Sequence, residues 1–140
     1  MTPHLILYPV FALFYLTAAV LVRLAYLRLG ATSRGEVSIK FYRTYDTGAE
    51  PERIRVVTRH FINLLEAPVL FYVVVILTYI TQRVGYGMIT CAWIYVALRY
   101  VHTAVHLTAN DVRLRFQIYV ASGMVLVVMW TMLLVQLLRS

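Results

Sequence analysis

The sequence predicts an all-α integral membrane protein, one four-helix bundle occupying residues 1–140. Three observations carry this. The chain is 61% hydrophobic and 14% charged, against roughly 45–50% apolar and about 25% charged in soluble domains. Its mean hydropathy is +0.75. Its apolar residues gather into four long runs, and four spans of about 20 residues fit the length with room for loops and ends. An ordinary soluble enzyme is excluded. The net charge of +7, from 13 Lys+Arg and 6 Asp+Glu, would suit nucleic acid, but a mean hydropathy this high leaves too little polar surface for such a partner, so the expected partner is the lipid bilayer.

The first run, LILYPVFALFYLTAAVLV at 5–22, is uncharged. It is too long for a signal-peptide core and has neither a basic leader before it nor a cleavage-type site after it, so it reads as an uncleaved helix over about 4–28. Residues 23–58 hold most of the charge, with Gly30, Gly35, Gly48 and Pro51 as breakers, and read as a long polar loop. A second helix is expected over about 59–82. Pro68 lacks an N–H and frees the carbonyl of Leu64, so a kink is expected there. After a short turn containing Arg83, Gly85 and Gly87, a third helix should cover about 88–107. The segment TANDVRLR joins it to a fourth at about 116–138. Cys91 is the single cysteine, so no intrachain disulfide can form.

Lys and Arg accumulate in cytoplasmic loops. The first and third loops are basic, whereas the second holds only Arg83. Loops one and three are therefore expected in the cytoplasm, with both termini on the opposite side.

Ionisable groups inside a span cost about 2.5–3.5 kcal/mol at the bilayer centre, and those that persist usually face a bundle interior or a cavity. At roughly 100° per residue, Arg59, Asn63 and Glu66 project at about 0°, 40° and −20°, on one narrow stripe of the second helix. An Arg fork, an amide and a carboxylate together suit a zwitterionic, peptide-like ligand. The structural alternative is that Arg59 snorkels to the interface while Glu66 pairs with a neighbouring Arg for assembly. On the third helix Tyr95, Arg99, His102, Thr103 and His106 fall within about 100° of arc, with Tyr100 on the flank. His102 and His106, at i and i+4, could share a metal, but no third ligand is evident and none is expected. Arg113 and Arg115 flank the same face, with Tyr119 a turn beyond. A fixed cation beside a bound thiol favours the thiolate; the same arginines could equally serve topology alone.

The second-helix run RHFINLLEAPVLFY, read as R-x-x-x-N-x-x-E at Arg59, Asn63 and Glu66, resembles the MAPEG family, the membrane-associated proteins of eicosanoid and glutathione metabolism. The segments RYVHTAVHLT and NDVRLRF look like the family too, so the resemblance covers about residues 5–138, and EAPVLFY is similar to its bacterial branch. The resemblance implies a homotrimer of four-helix subunits in the bacterial inner membrane. It further implies glutathione, as co-substrate, held in intersubunit clefts open toward the cytoplasm. Carried over, Arg59, Asn63 and Glu66 would grip its peptide part, and Arg115, or less favourably Arg113, would stabilise its thiolate. Arg99, Tyr100, His102, His106 and Tyr119 match positions around that site, and Arg28 is a looser candidate from the adjacent subunit. The family's Glu-Arg pair is replaced by Arg55-Val56, the residue after Glu66 is Ala67, and His106 stands where several eicosanoid enzymes have tyrosine. A specific eicosanoid substrate is therefore not expected.

The expected function is a glutathione-dependent transferase or peroxidase acting on lipophilic small molecules. The alternative is a non-catalytic membrane protein that keeps the buried polar stripe for structure or small-ligand binding. Convergence of Arg115 and the Arg59 stripe on one open cleft distinguishes the two.

Overall fold

In the computed structural model, which describes residues 2–45 and 48–139, all regular elements among the described residues are helical. A 3₁₀ turn at Pro3–Leu7 leads into α1, Tyr8–Ser33; α2 is a single turn, Phe41–Thr44; α3 is Glu52–Leu65, α4 Ala67–Ile80, α5 Tyr86–Leu107 and α6 Val112–Leu138. Four stretches are long and apolar enough to cross a membrane: Pro3–Ser33, Glu52–Ile80, Tyr86–Leu107 and Val112–Leu138. In hydrocarbon every backbone N–H and C=O must be satisfied within the segment, which a continuous helix achieves.

The helix ends differ from the sequence expectation where polar residues continue a helix beyond its apolar stretch. α1 passes Gly30 and stops where Gly35 takes φ 71°. There Gly35 N–H donates to Thr32 O and Glu36 N–H to Ala31 O, the paired bonds of a glycine-terminated helix. The second span starts at Glu52 instead of near Arg59, because its first turns bury Ile54 and Val57 while exposing Arg53 and Arg55. Glu52 in the first turn also suits the positive end of the helix dipole. α6 starts at Val112, capped by Asp111, whose carboxylate accepts from Leu114 N–H at 2.9 Å.

The kink expected from Pro68 is a full break. Glu66 takes φ −91°, ψ −94° and divides the span into α3 and α4.

α5 packs against α6 most extensively and also against α1 and α3, while α1 lies along α3. Its buried positions Met88, Ala92, Tyr95, Arg99, His102 and His106 recur every three or four residues, forming one seam. The same spacing buries Leu13, Leu16, Val20 and Leu24 of α1 and Ser122, Leu126, Met129 and Leu133 of α6. Ala92 and Ser122 are small residues of the kind that lets membrane helices approach closely. Phe11, Phe14, Tyr15, Val22 and Val127 point outward, as lipid-facing side chains should.

The first loop is fastened by two charge clusters. Arg28 Nε donates to Glu50 Oε1 at 2.9 Å and its Nη2 to Thr58 Oγ1 at 3.2 Å, while its guanidinium lies 5.2 Å from the Tyr42 ring centre. Nearer the surface, Glu36 pairs with Arg34 and Arg53. The Arg34 hydrogen bond, assisted by Arg53, holds the Glu36 carboxyl below the ordinary carboxylate value.

Candidate functional site

At the helix ends joined by the basic first and third loops, α3, α5 and α6 enclose a cleft of about 300 Å³. It is lined by Arg59, Asn63, His102, His106, Val112, Arg115, Phe116 and Tyr119. A mouth bordered by Glu52, Arg55 and Asn110 adjoins it, and Arg59, His106, Val112 and Arg115 line both. Polar groups therefore grade from the loop end to the aromatic rings of Phe116 and Tyr119 deeper in the span.

Arg59 and Asn63 of α3, His102 and His106 of α5 and Arg115 and Tyr119 of α6 meet at this cleft. Arg59 reaches the cleft from α3, exposed and with no hydrogen-bond or ion-pair partner among the described residues. Asn63, one turn on, is half-buried, and its Oδ1 accepts from Arg99 Nη1 at 3.1 Å. Arg115 of α6 is half-buried and donates from Nη1 to Asn110 Oδ1 at 2.7 Å and to His106 Nε2 at 3.2 Å.

Arg99 forms the floor behind these groups and is fully buried. Its Nε donates to Tyr95 OH at 3.1 Å, and its guanidinium carbon lies 5.2 Å from the Tyr95 ring centre and 5.1 Å from that of Tyr119. No carboxylate balances it among the described residues, and its Nη2 is buried without a partner. Ring faces attract cations, so the two tyrosines offset part of the burial cost.

Four predicted residues lie elsewhere in the protomer. Glu66 is exposed at the α3–α4 break and has no ion-pair partner among the described residues. Tyr100 is turned to the other side, where its hydroxyl donates to Ala12 O at 2.9 Å and ties α5 to α1. Arg113 is exposed and borders neither the cleft nor its mouth. Arg28 is committed to Glu50 and Thr58, beside a second groove of about 430 Å³ between α1 and α3.

Two contributors were not foreseen. His60, fully buried, donates through Nε2 to Thr103 Oγ1 at 2.9 Å, since that hydroxyl's proton goes to Arg99 O, and its ring lies tilted with its centre 5.5 Å from His102 and 4.8 Å from His106. Three imidazoles thus cluster behind the cleft, although among the described residues no group of three or more His, Cys, Asp or Glu is arranged to hold a metal. The signal for His60 was its register with Ile54, Val57 and Leu64, the buried face of α3. Asn110 is the other; a left-handed φ of 49° at the α5–α6 turn is its local mark.

Chemically, a half-open cleft with two guanidinium groups and no carboxylate in its inner part suits an anionic ligand, with an apolar end against Phe116 and Tyr119. Fold and site together define a multi-pass helical membrane protein with a cationic cleft between helices. The chain belongs to the MAPEG family, whose family model matches residues 6–135. No curated protein and no solved structure matches it.

Proposed function

We propose that the protein is a glutathione-dependent transferase or peroxidase that acts on lipophilic electrophiles or hydroperoxides entering from the bilayer. The observation that carries this reading is the convergence of Arg59 and Asn63 with Arg115, His102 and Tyr119 on one open cleft. Arg59 and the free amide of Asn63 bind the carboxylate and peptide groups, and Arg115 stabilises the sulfur as thiolate. Chemistry then proceeds by positioning and charge stabilisation. The S–H proton leaves to solvent at the mouth, and the sulfur lone pair forms a bond to the electrophilic carbon as that carbon's leaving group departs with its electron pair. With a hydroperoxide it attacks the outer oxygen, the O–O bond breaks to release the alcohol, and a second glutathione converts the sulfenic acid to disulfide and water. Phe116 and Tyr119 provide the apolar approach.

The working unit is a homotrimer with the cleft completed between subunits. Two features support this: the cleft is open on one side, and Glu66 carries an exposed carboxylate between the two helices of a span with no ion-pair partner among the described residues. Assembly supplies a partner where lipid cannot. The first and third loops face the cytoplasm of a bacterial inner membrane, so that the cleft mouth between them meets soluble glutathione.

Calorimetry of detergent-purified protein with glutathione tests the reading, with ultraviolet thiolate absorbance recorded in parallel. Binding that weakens in Arg59→Ala, with thiolate absorbance lost in Arg115→Ala, is the expected result. Absence of binding at millimolar glutathione sinks it. The second reading, a non-catalytic protein using the polar stripe for assembly, is favoured by one observation: Asn63 Oδ1 is already occupied by Arg99.

A further inference from the structure

We propose that His106 and Asn110 are positioning residues for Arg115, holding its guanidinium so that the remaining donors face the cleft. The inference deepens the glutathione reading and rests on it. The geometry starts from what each group can do. A guanidinium only donates, so the 3.2 Å contact from Arg115 Nη1 requires a lone pair on His106 Nε2. That imidazole is then neutral, with its proton on Nδ1. The second Nη1 hydrogen is taken by Asn110 Oδ1 at 2.7 Å. Both hydrogens on one nitrogen are thus used by the protein, leaving Nε and Nη2 for whatever occupies the cleft.

Each acceptor is itself immobilised. The His106 ring is wedged by His60, 4.8 Å away, and His102, 5.8 Å away. His60 is in turn fixed by Thr103, whose own hydroxyl proton goes to Arg99 O at 2.8 Å. Asn110 sits at φ 49° with its N–H donated to Val105 O at 2.7 Å. Only Gly, Asn and Asp adopt that backbone readily, so one residue both makes the turn and presents the acceptor. The charged and titratable groups around Arg115 are Glu52, Arg55 and Arg59 from α3 and His106 from α5 at the cleft and its mouth, with His60, His102 and Tyr119 behind them. The cations among them, Arg55 and Arg59, would repel the Arg115 guanidinium were it not tied.

Asn110→Gly keeps the left-handed turn and removes the acceptor. His106→Leu removes the other, and His106→Gln restores an acceptor through its amide oxygen. The first readout needs no glutathione: the rate at which phenylglyoxal modifies Arg115 in the purified protein, followed by peptide mass. It should rise several-fold in Asn110→Gly and His106→Leu and stay near wild type in His106→Gln. The second is the pH midpoint of thiolate absorbance from bound glutathione. It should move up by about one pH unit, a tenfold loss of thiolate at fixed pH, in the first two variants and little in the third. Unchanged labelling in both removal variants overturns the proposal, as does faster labelling with an unmoved midpoint. Wild-type protein that binds no glutathione overturns the preceding reading, and the labelling arm still decides whether the two residues hold Arg115.

Discussion

Arg99 Nη1 donates to Asn63 Oδ1 at 3.1 Å, joining a fully buried cation on α5 to the cleft-lining stripe of α3. Because the guanidinium has no carboxylate beside it, the bond to Asn63 and that to Tyr95 OH carry its satisfaction. Asn63→Leu should therefore lower stability by about 1–3 kcal/mol, the usual cost of orphaning a buried donor. Adding Arg99→Met should recover part of that loss, since an apolar side chain needs no partner. Thermal melts of the single and double variants in detergent check this, and simple additivity would refute the coupling.

Arg113 and Arg115 are two residues apart, yet only Arg115 lines the cleft. Arg115→Ala should abolish the thiolate absorbance of bound glutathione, whereas Arg113→Ala should leave it in place. Equal loss from both would mean that general positive charge, and not a directed guanidinium, stabilises sulfur.

Arg59 has no hydrogen-bond or ion-pair partner among the described residues to retain it, so its removal should act on ligand and not on fold. Arg59→Ala is expected to weaken glutathione binding about 10- to 100-fold, the worth of one charge-assisted contact, with an unchanged melting temperature. A large drop in melting temperature would place Arg59 in the structural framework instead.

The tie between Arg28 and Glu50 fastens the first loop, and Glu50 is only 7% exposed. Arg28→Ala leaves that carboxylate nearly buried without its cation, met by the neutral Thr58 hydroxyl at 3.3 Å, so trypsin should cut at Lys40 and Arg43 faster than in wild type. Restoration by Glu50→Gln in the same chain would confirm that the stranded charge, and not lost packing of Arg28, loosens the loop.

Glu36 gives a pH-dependent version of the same fastening. Its carboxyl titrates below the ordinary 4.5 when folded, so its contribution is complete above that value and is lost as pH falls through the lower folded one. A spin label at Lys40→Cys, in a Cys91→Ala background, should gain mobility only in that acidic range. Glu36→Gln should show the mobile spectrum at every pH; a transition that survives in Glu36→Gln belongs to another group.

The four spans were legible in the sequence because lipid imposes one requirement, a long apolar helix, that composition reveals directly. Helix ends were less so. Hydropathy marks where apolar character begins, whereas α3 begins at Glu52 through amphipathic turns that packing, not lipid, stabilises. Helical projection correctly grouped Arg59 with Asn63, and His102 with His106, since those pairs share a face by geometry alone. It placed Glu66 on the same stripe, but the break at that residue takes it off the regular screw. His60 escaped the projection because it sits about 100° from Arg59, on the core face. Tyr100 matched by position but is held by a local partner, Ala12 O, which no spacing rule identifies, and Arg28, which had no motif behind it, is tied to Glu50.

The unpartnered carboxylate at the α3–α4 break bears on how the protein is made. On the trimer reading, a newly inserted chain carries the exposed Glu66 carboxylate inside a span, and must either protonate it or bend the bilayer to wet it until neighbouring copies arrive. The interval between insertion and encounter is then the chain's most vulnerable period in the cell. Surplus copies produced faster than they can meet are the ones that membrane quality-control proteases will remove.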